Sequence, residues 1–141
     1  TWEVLEHDAD TGLRVTADSP EELLAEALRG MFSLIVEAET VEPRESLEVA
    51  AEGTDLADLL HATLSEALSL AMARRIAVSL VEILEFSPGR ARASLQGETF
   101  DPGRHALGIE VKAVTRHGLR LGAATPATSP AALVATVYFD V

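Results

Sequence analysis

The residues most able to do chemistry lie near the start of the sequence, in the run Glu6-His7-Asp8-Ala9-Asp10-Thr11-Gly12. Four consecutive positions of this run hold an imidazole and two Asp carboxylates, and hard divalent cations prefer carboxylate oxygens as ligands. Apolar and polar residues alternate on both sides of the run, which predicts two strands, while Asp, Thr and Gly are typical of turns and bulges. The sequence therefore predicts acidic side chains where two strands meet. The structural alternative is an Asp that only caps its own backbone.

Composition and charge restrict the classes of function that such a site can serve. The chain has 141 residues, of which 48% are hydrophobic, and no cysteine, so we expect one domain over residues 1–141 without disulfides or zinc–thiolate sites. The formal net charge of −12 argues against wrapping a nucleic-acid backbone, but it allows docking on a basic protein partner. No apolar run approaches the roughly 20 residues that span a bilayer, so we expect no membrane contact and a cytoplasmic location.

Two amphipathic helices are predicted after the acidic run. The pair Ser19-Pro20 is typical of a helix start, and apolar residues then recur every three or four positions until near Val36. A second helix is expected to open with Thr54 or Asp55 as its cap. The apolar stripe of this second helix is Leu56, Leu59, Leu60, Leu64, Leu68 and Met72. His61 falls nearer the polar side of the helix, where we expect a surface position.

The remaining pattern predicts strands. They are expected over residues 47–51, 76–86, 90–95, 109–117 and 133–141. The doublet Leu80-Val81 indicates either a bulge or a strand that is buried on both faces. In the fourth of these strands, Ile109, Val111 and Ala113 are expected to share one face. We therefore predict an α+β fold in which two amphipathic helices pack on antiparallel-rich mixed β-sheets.

Six segments of the sequence form a further pattern. They are Glu6 to Gly12, Gly30-Met31-Phe32, Thr54-Asp55-Leu56-Ala57-Asp58-Leu59-Leu60, Gly97-Glu98, Glu110-Val111-Lys112-Ala113-Val114-Thr115-Arg116-His117 and Tyr138-Phe139-Asp140-Val141. In this order and spacing they resemble the archease family, small proteins that assist the RNA ligase of tRNA splicing. The resemblance runs essentially end to end. Three places depart from the family pattern: Asp8 stands where Thr is usual, residues 64–70 lack the usual aromatic side chains, and Arg116 stands where an aromatic residue is common.

The resemblance implies a divalent metal site, typically occupied by calcium. It is built from the Asp of the first motif, the penultimate Asp and the C-terminal residue, which correspond to Asp10, Asp140 and Val141. We expect Ca²⁺, with Mg²⁺ or Mn²⁺ as alternatives, because such cations take carboxylate oxygens. Strand pairing that brings Asp140 and the terminal carboxylate near Asp10 would supply these carboxylate oxygens. The alternative is that Asp140 is only the polar end of an edge strand.

Second-rank candidates for the site are His7, Asp8, Lys112 and His117. Lys112 has a simpler interpretation as the partner of Glu110 or of another acidic residue across the sheet. For His117, and also for His105, we favour an ordinary position at a sheet edge. The alternative for both histidines is support of a metal ligand through a hydrogen bond.

The resemblance further implies a non-enzymatic accessory protein that promotes guanylylation and repeated turnover of the ligase. That ligase joins RNA ends carrying a 3′-phosphate or a 2′,3′-cyclic phosphate and uses GTP and manganese, so this protein would reach tRNA only through the ligase. Two other classes stay open: a metal-dependent phosphoester hydrolase that uses Asp8, Asp10 and Asp140, and a chaperone-like interaction module. Neither a nucleophile motif nor a glycine-rich phosphate loop supports the hydrolase.

Overall fold

The acidic run separates two strands, as predicted from the alternation on either side of it. The computed structural model describes residues 1–6, 10–123 and 133–141. Its elements are, in chain order, β1 (Trp2–Glu6), β2 (Asp10–Ala17), α1 (Pro20–Ile35), a short 3-10 helix (Ala38–Thr40), β3 (Glu45–Glu52), α2 (Leu56–Arg74), β4 (Ile76–Ser87), β5 (Arg90–Thr99), β6 (Ala113–Ala123) and β7 (Leu133–Asp140). This arrangement confirms the predicted α+β fold.

The strands form two antiparallel sheets. The first sheet has the strand order β1-β2-β7-β6, and the second has the order β3-β5-β4. Every described pairing between neighbouring strands is antiparallel. The strands that carry Asp10 and Asp140 at their ends, β2 and β7, are therefore the two central strands of the first sheet.

Both helices begin where the sequence predicts because side-chain caps satisfy their first amide groups. Ser19 Oγ accepts a hydrogen bond from the amide of Glu22 at 3.2 Å, and Asp55 Oδ1 accepts one from the amide of Asp58 at 2.8 Å. Arg75 ends α2 in the left-handed conformation, with a φ of 56°. Among the described residues, no helix is long and apolar enough to cross a membrane.

The two helices form a layer between the sheets, and the core fills the space on both sides of that layer. α1 contacts β2 and β4, whereas α2 contacts β3 and β6, so each helix packs on both sheets. Alternation along β7 places Ala135, Val137 and Phe139 in the core. The same alternation turns Tyr138 and Asp140 to the outer face.

One strand starts later than predicted. Residues 109–112 precede β6, which begins at Ala113. The amides of Gly108 and Ile109 donate hydrogen bonds to the last carbonyl groups of α1, those of Ile35 at 2.8 Å and Leu34 at 2.7 Å. Carbonyl groups at the end of a helix lack partners within the helix. This segment therefore donates hydrogen bonds to the end of α1 instead of extending the strand.

Other side chains depart from the predicted pattern or decide between its alternatives. Val111 is buried while Ala113 is exposed, because the chain at this point does not follow the alternation of a strand. A register shift between Val78 and Leu80 confirms the bulge in β4, and Leu80 is 52% exposed, so that strand is not buried on both faces. Met72, predicted on the buried stripe of α2, is 53% exposed.

Candidate functional site

Asp10 and Asp140 lie directly opposite each other on the two central strands of the first sheet. They are partners in the antiparallel register of β2 and β7. Opposed residues in such a pair point to the same face, with their Cβ atoms about 4.5–5.5 Å apart. That face is the outer one, since Leu13 and Val137, three residues away on the same strands, are fully buried in the core. The structure therefore brings these two predicted site residues together, and the alternative that Asp140 ends an edge strand is wrong.

The neighbouring strand fixes the backbone of Asp140. The Lys112 amide donates a hydrogen bond to the Asp140 carbonyl oxygen at 2.8 Å, just before β6 begins. The Lys112 side chain is exposed. Among the described residues, no ion pair joins Lys112 to Glu110. Val141 follows β7 and is 40% exposed. Because the backbone carbonyl of Asp140 accepts this hydrogen bond, the side-chain carboxylate of Asp140 is the group that remains available to a cation.

These donors fit a hard divalent cation. Two like charges placed directly opposite each other across a strand pair repel, and a cation between them would offset the repulsion. Within residues 1–6, 10–123 and 133–141, no group of three or more His, Cys, Asp or Glu residues is arranged to hold a metal ion. The third ligand expected from the resemblance, Val141, is not of these residue types, and His7 and Asp8 lie outside the described residues. The metal site of Asp10, Asp140 and Val141 stays a prediction.

A groove of about 350 Å³ extends from Asp10 across the outer face of the first sheet. Its lining residues are Leu5, Asp10, Arg14, His117, Gly118, Arg120, Thr136 and Tyr138. The ring of Tyr138 lies against two glycines, since a β-carbon would come within 2.7 Å of ring atoms at Gly12 and within 2.8 Å at Gly118. Glycine at both positions therefore lets the ring lie close to the backbones of the two strands that flank β7.

A bulge in β6 brings His117 to this groove. Residues 116–119 of β6 stand opposite the single residue Val137 of β7. Gly118 has a φ of 74°, a conformation that favours glycine, and the amide of His117 donates to Thr115 Oγ1 at 2.7 Å. Bulges often re-aim side chains beside functional sites, and a glycine inside an alternating strand is the sequence signal for one.

Two contacts tie α2 to β6 at the start of the bulge. Arg116 Nη2 donates to Asp58 Oδ1 at 2.7 Å, and His61 Nε2 lies 3.0 Å from the Val114 carbonyl oxygen. The pKa of Asp58 is lowered by hydrogen bonds from the Thr54 amide and from Arg116. Arg116, one of the three places where the sequence departs from the family that it resembles, thus forms an ion pair. His61, expected at the surface, is half-buried and hydrogen-bonded.

His105 belongs to a buried network beside the second sheet rather than to a sheet edge. Its Nδ1 accepts a hydrogen bond from the Asp101 amide at 3.0 Å, and its Nε2 lies 3.1 Å from Glu98 Oε2. Glu98 also accepts the Glu42 amide at 2.7 Å and both Nη atoms of Arg104 at 3.0 and 3.1 Å. The Glu42 amide and then His105 are the main causes that lower the pKa of Glu98 to about 2. Glu98 of the motif Gly97-Glu98 is therefore explained by hydrogen bonds and ion pairs within the fold.

Comparison with known proteins connects this geometry to a family. The Archease protein family (MTH1598/TM1083) matches residues 2–141. The chain is 42% identical to the protein archease of Methanopyrus kandleri over 123 residues, which cover 85% of this chain and 88% of that protein. It is 32% identical to the protein archease of Pyrococcus furiosus over 123 residues, again 85% of this chain and 87% of that protein.

Solved structures resemble the fold over nearly its whole length. The solution structure of Methanobacterium thermoautotrophicum protein 1598 has a TM-score of 0.76 and 25% identity, with 99% of this chain and 98% of that chain covered. A crystal structure from Thermotoga maritima, described as an archease and possible chaperone, has a TM-score of 0.65 and 20% identity, with 99% and 96% covered. The second likeness concerns the fold alone.

Proposed function

This chain belongs to the archease family, and from that premise we propose that it is a non-enzymatic accessory protein of the RNA ligase of tRNA splicing. It promotes guanylylation and repeated turnover of the ligase in the cytoplasm, and it meets tRNA only through the ligase. The net charge of −12 suits a partner with a basic active-site groove, because charge complementarity speeds encounter.

The observation that carries this proposal is the pairing of Asp10 with Asp140 on the outer face of the first sheet. Both residues lie on central strands, so the sheet holds their backbones on two sides. Asp10 is half-buried, whereas Asp140 is exposed and can approach a partner. Two carboxylates on neighbouring strands present their oxygen ligands side by side, which a docked ligase can use.

Asp10, Asp140 and Val141 are the residues that would hold a divalent cation, most simply Ca²⁺. When bound, the cation supplies positive charge at the contact with the ligase. The residues of the chain itself orient the carboxylates: β2 positions Asp10, and the Lys112 amide fixes the backbone of Asp140. His117 reaches the same face through the bulge of β6 and lines the adjoining groove.

The test is multiple-turnover ligation of RNA ends by the ligase from the same source, with GTP and manganese. Wild-type protein at substoichiometric amounts should accelerate turnover, and Asp10→Asn and Asp140→Asn should each remove most of the acceleration while circular dichroism shows an intact fold. Asp18→Asn is the matched control, because this exposed residue follows the opposite end of β2 and its loss changes net charge equally.

Two outcomes would contradict the proposal. Full activation by both Asp10→Asn and Asp140→Asn would show that activation of the ligase does not depend on these two carboxylates. Absence of activation by the wild-type protein, together with metal-dependent hydrolysis of a generic phosphodiester, would favour the hydrolase that uses Asp8, Asp10 and Asp140.

A further inference from the structure

Two arginines flank one threonine on the outer face of the first sheet. Arg14 of β2 and Arg120 of β6 are both register partners of Thr136 on β7, which lies between them. All three side chains therefore point to the same face, and the two arginine backbones stand about 10 Å apart, two strand spacings. Both arginines and the threonine line the 350 Å³ groove that also contains His117.

The cationic groups of this groove are open to an additional partner. Within the described part of the chain, Arg120 takes part in none of the ion pairs. Arg14 Nη1 binds Glu3 Oε1 at 2.8 Å, but the two side chains are 50% and 60% exposed. Such surface pairs contribute little, and a guanidinium group has five N–H donors, so Arg14 can still bind an anion.

The groove is unusual in a chain that carries 23 acidic and only 11 basic residues. Among the described residues that line it, Asp10 is the acidic one, and it lies four residues from Arg14 along β2, a distance of about 13 Å. Asp140 lies opposite Asp10 on the same face, so the repulsion comes from two carboxylates. At about 13 Å along the strands, much of that repulsion is screened at physiological ionic strength. The arginine end of the groove can therefore attract an anion despite the net negative charge.

We propose that the row Arg14, Thr136 and Arg120, together with His117, binds a terminal phosphate group. Planar guanidinium groups donate paired hydrogen bonds that match phosphate oxygens, and the threonine hydroxyl and the imidazole add further N–H and O–H donors. The cavity lies at the lower end of the range of about 300–1,000 Å³ for small-molecule sites, which suits a phosphate with a short attached group. The phosphate is that of a polyphosphate chain or that of an RNA end, which present the same terminal oxygens.

This inference goes beyond ligase activation and does not depend on it, because binding is measured on the isolated protein. The protein is titrated by calorimetry at physiological ionic strength, in EDTA, with inorganic tripolyphosphate and separately with a short RNA that ends in a 3′-phosphate. The same RNA with a 3′-hydroxyl is the ligand control. Amide resonances of Gly12, Gly118 and Thr136 report whether the ligand occupies the groove.

At least one phosphate ligand should bind with a stoichiometry of one and shift these three resonances. Arg120→Gln and Arg14→Gln should each weaken binding about tenfold or more, since hydrogen bonds to charged groups are lost. Glu3→Gln should tighten binding, because it removes the carboxylate that competes for Arg14. Arg90→Gln, at an exposed position at the start of β5, removes the same charge from the second sheet and should leave binding unchanged.

Three results would overturn the proposal: no binding of either phosphate ligand, an equal loss of affinity in Arg90→Gln, or resonance shifts confined to another surface. Equal affinity for the RNA with a 3′-hydroxyl, with no binding of tripolyphosphate, would also exclude a terminal phosphate as the ligand. If the proposal holds, the tighter of the two phosphate ligands identifies its source.

Discussion

At the scale of single residues, Asp10 and Asp140 face each other as like charges across the central strands of the first sheet. Without a bound cation this arrangement costs stability, since directly opposed like charges in a strand pair are unfavourable. In EDTA we therefore expect Asp10→Asn to raise the free energy of unfolding by about 0.2–1 kcal/mol. With calcium present, wild type should gain stability and Asp10→Asn should not, because only a ligand that binds the folded state stabilises it.

Thermal unfolding followed by circular dichroism, with and without calcium, measures both effects. Asp18→Asn serves as the control, since it removes a carboxylate from the same region of sequence without touching the pair. If Asp10→Asn were less stable than wild type in EDTA, the carboxylate of Asp10 would have a structural role. That result would favour the interpretation of a capping Asp over that of a cation ligand.

At the scale of elements, the bulge of β6 determines which side chains reach the groove. Gly118 is central to it, because its φ is 74° and an added β-carbon would come within 2.8 Å of the Tyr138 ring. Gly118→Ala should destabilise the protein by about 1–2 kcal/mol from the left-handed backbone alone, with displacement of the ring adding to this. It should also disturb the amide resonances of His117, since the bulge positions that residue.

Gly122 of the same strand provides the matched control for Gly118. A β-carbon at Gly122 would have no atom of the described residues within 4 Å, so Gly122→Ala should change the free energy of unfolding by less than about 0.5 kcal/mol. Denaturant unfolding of both variants measures the difference. If Gly118→Ala and Gly122→Ala were equally stable, a residue with a β-carbon would fit at Gly118 without strain. In that case the bulge would not be the feature that positions His117 at the groove.

At the scale of the whole molecule, local signals in the sequence predict much of the fold. Ser19 and Asp55 cap helices because caps depend on residues within one turn, and alternation along β7 separates Phe139 from Asp140 because it depends only on strand geometry. The pairing of Asp10 with Asp140 requires the register of strands far apart in sequence. Family resemblance indicated that these residues belong together, and the structure places them opposite each other.

Other features depend on contacts that no local pattern encodes. The Ile109 amide bonds to the end of α1 although the sequence predicts a strand from this residue onward, because the last carbonyl groups of a distant helix need partners. His105 has no sequence neighbour that marks it as buried, and only the fold brings Glu98 to its ring. Lone histidines therefore could not be assigned from the sequence.

The network around Glu98 gives the whole fold a pH dependence. Glu98 joins β5 to two other segments, through Glu42 and Arg44 before β3 and through Arg104 and His105 after β5. Because the folded protein lowers its pKa to about 2 from the usual 4.5, Glu98 adds stability that is fully present above about pH 4.5. That contribution is lost as the pH falls from 4.5 towards 2.

Glu98→Gln should therefore lower stability at neutral pH and flatten the dependence of stability on pH below 4.5, because a neutral amide does not titrate there. Denaturant unfolding at a series of pH values measures this slope. Glu82→Gln is the control, since Glu82 is exposed on β4 of the same sheet and should keep the wild-type slope. If Glu98→Gln also kept the wild-type dependence of stability on pH, the acid sensitivity would come from other carboxylates. The network would then stabilise the fold through packing and neutral hydrogen bonds rather than through the charge of Glu98.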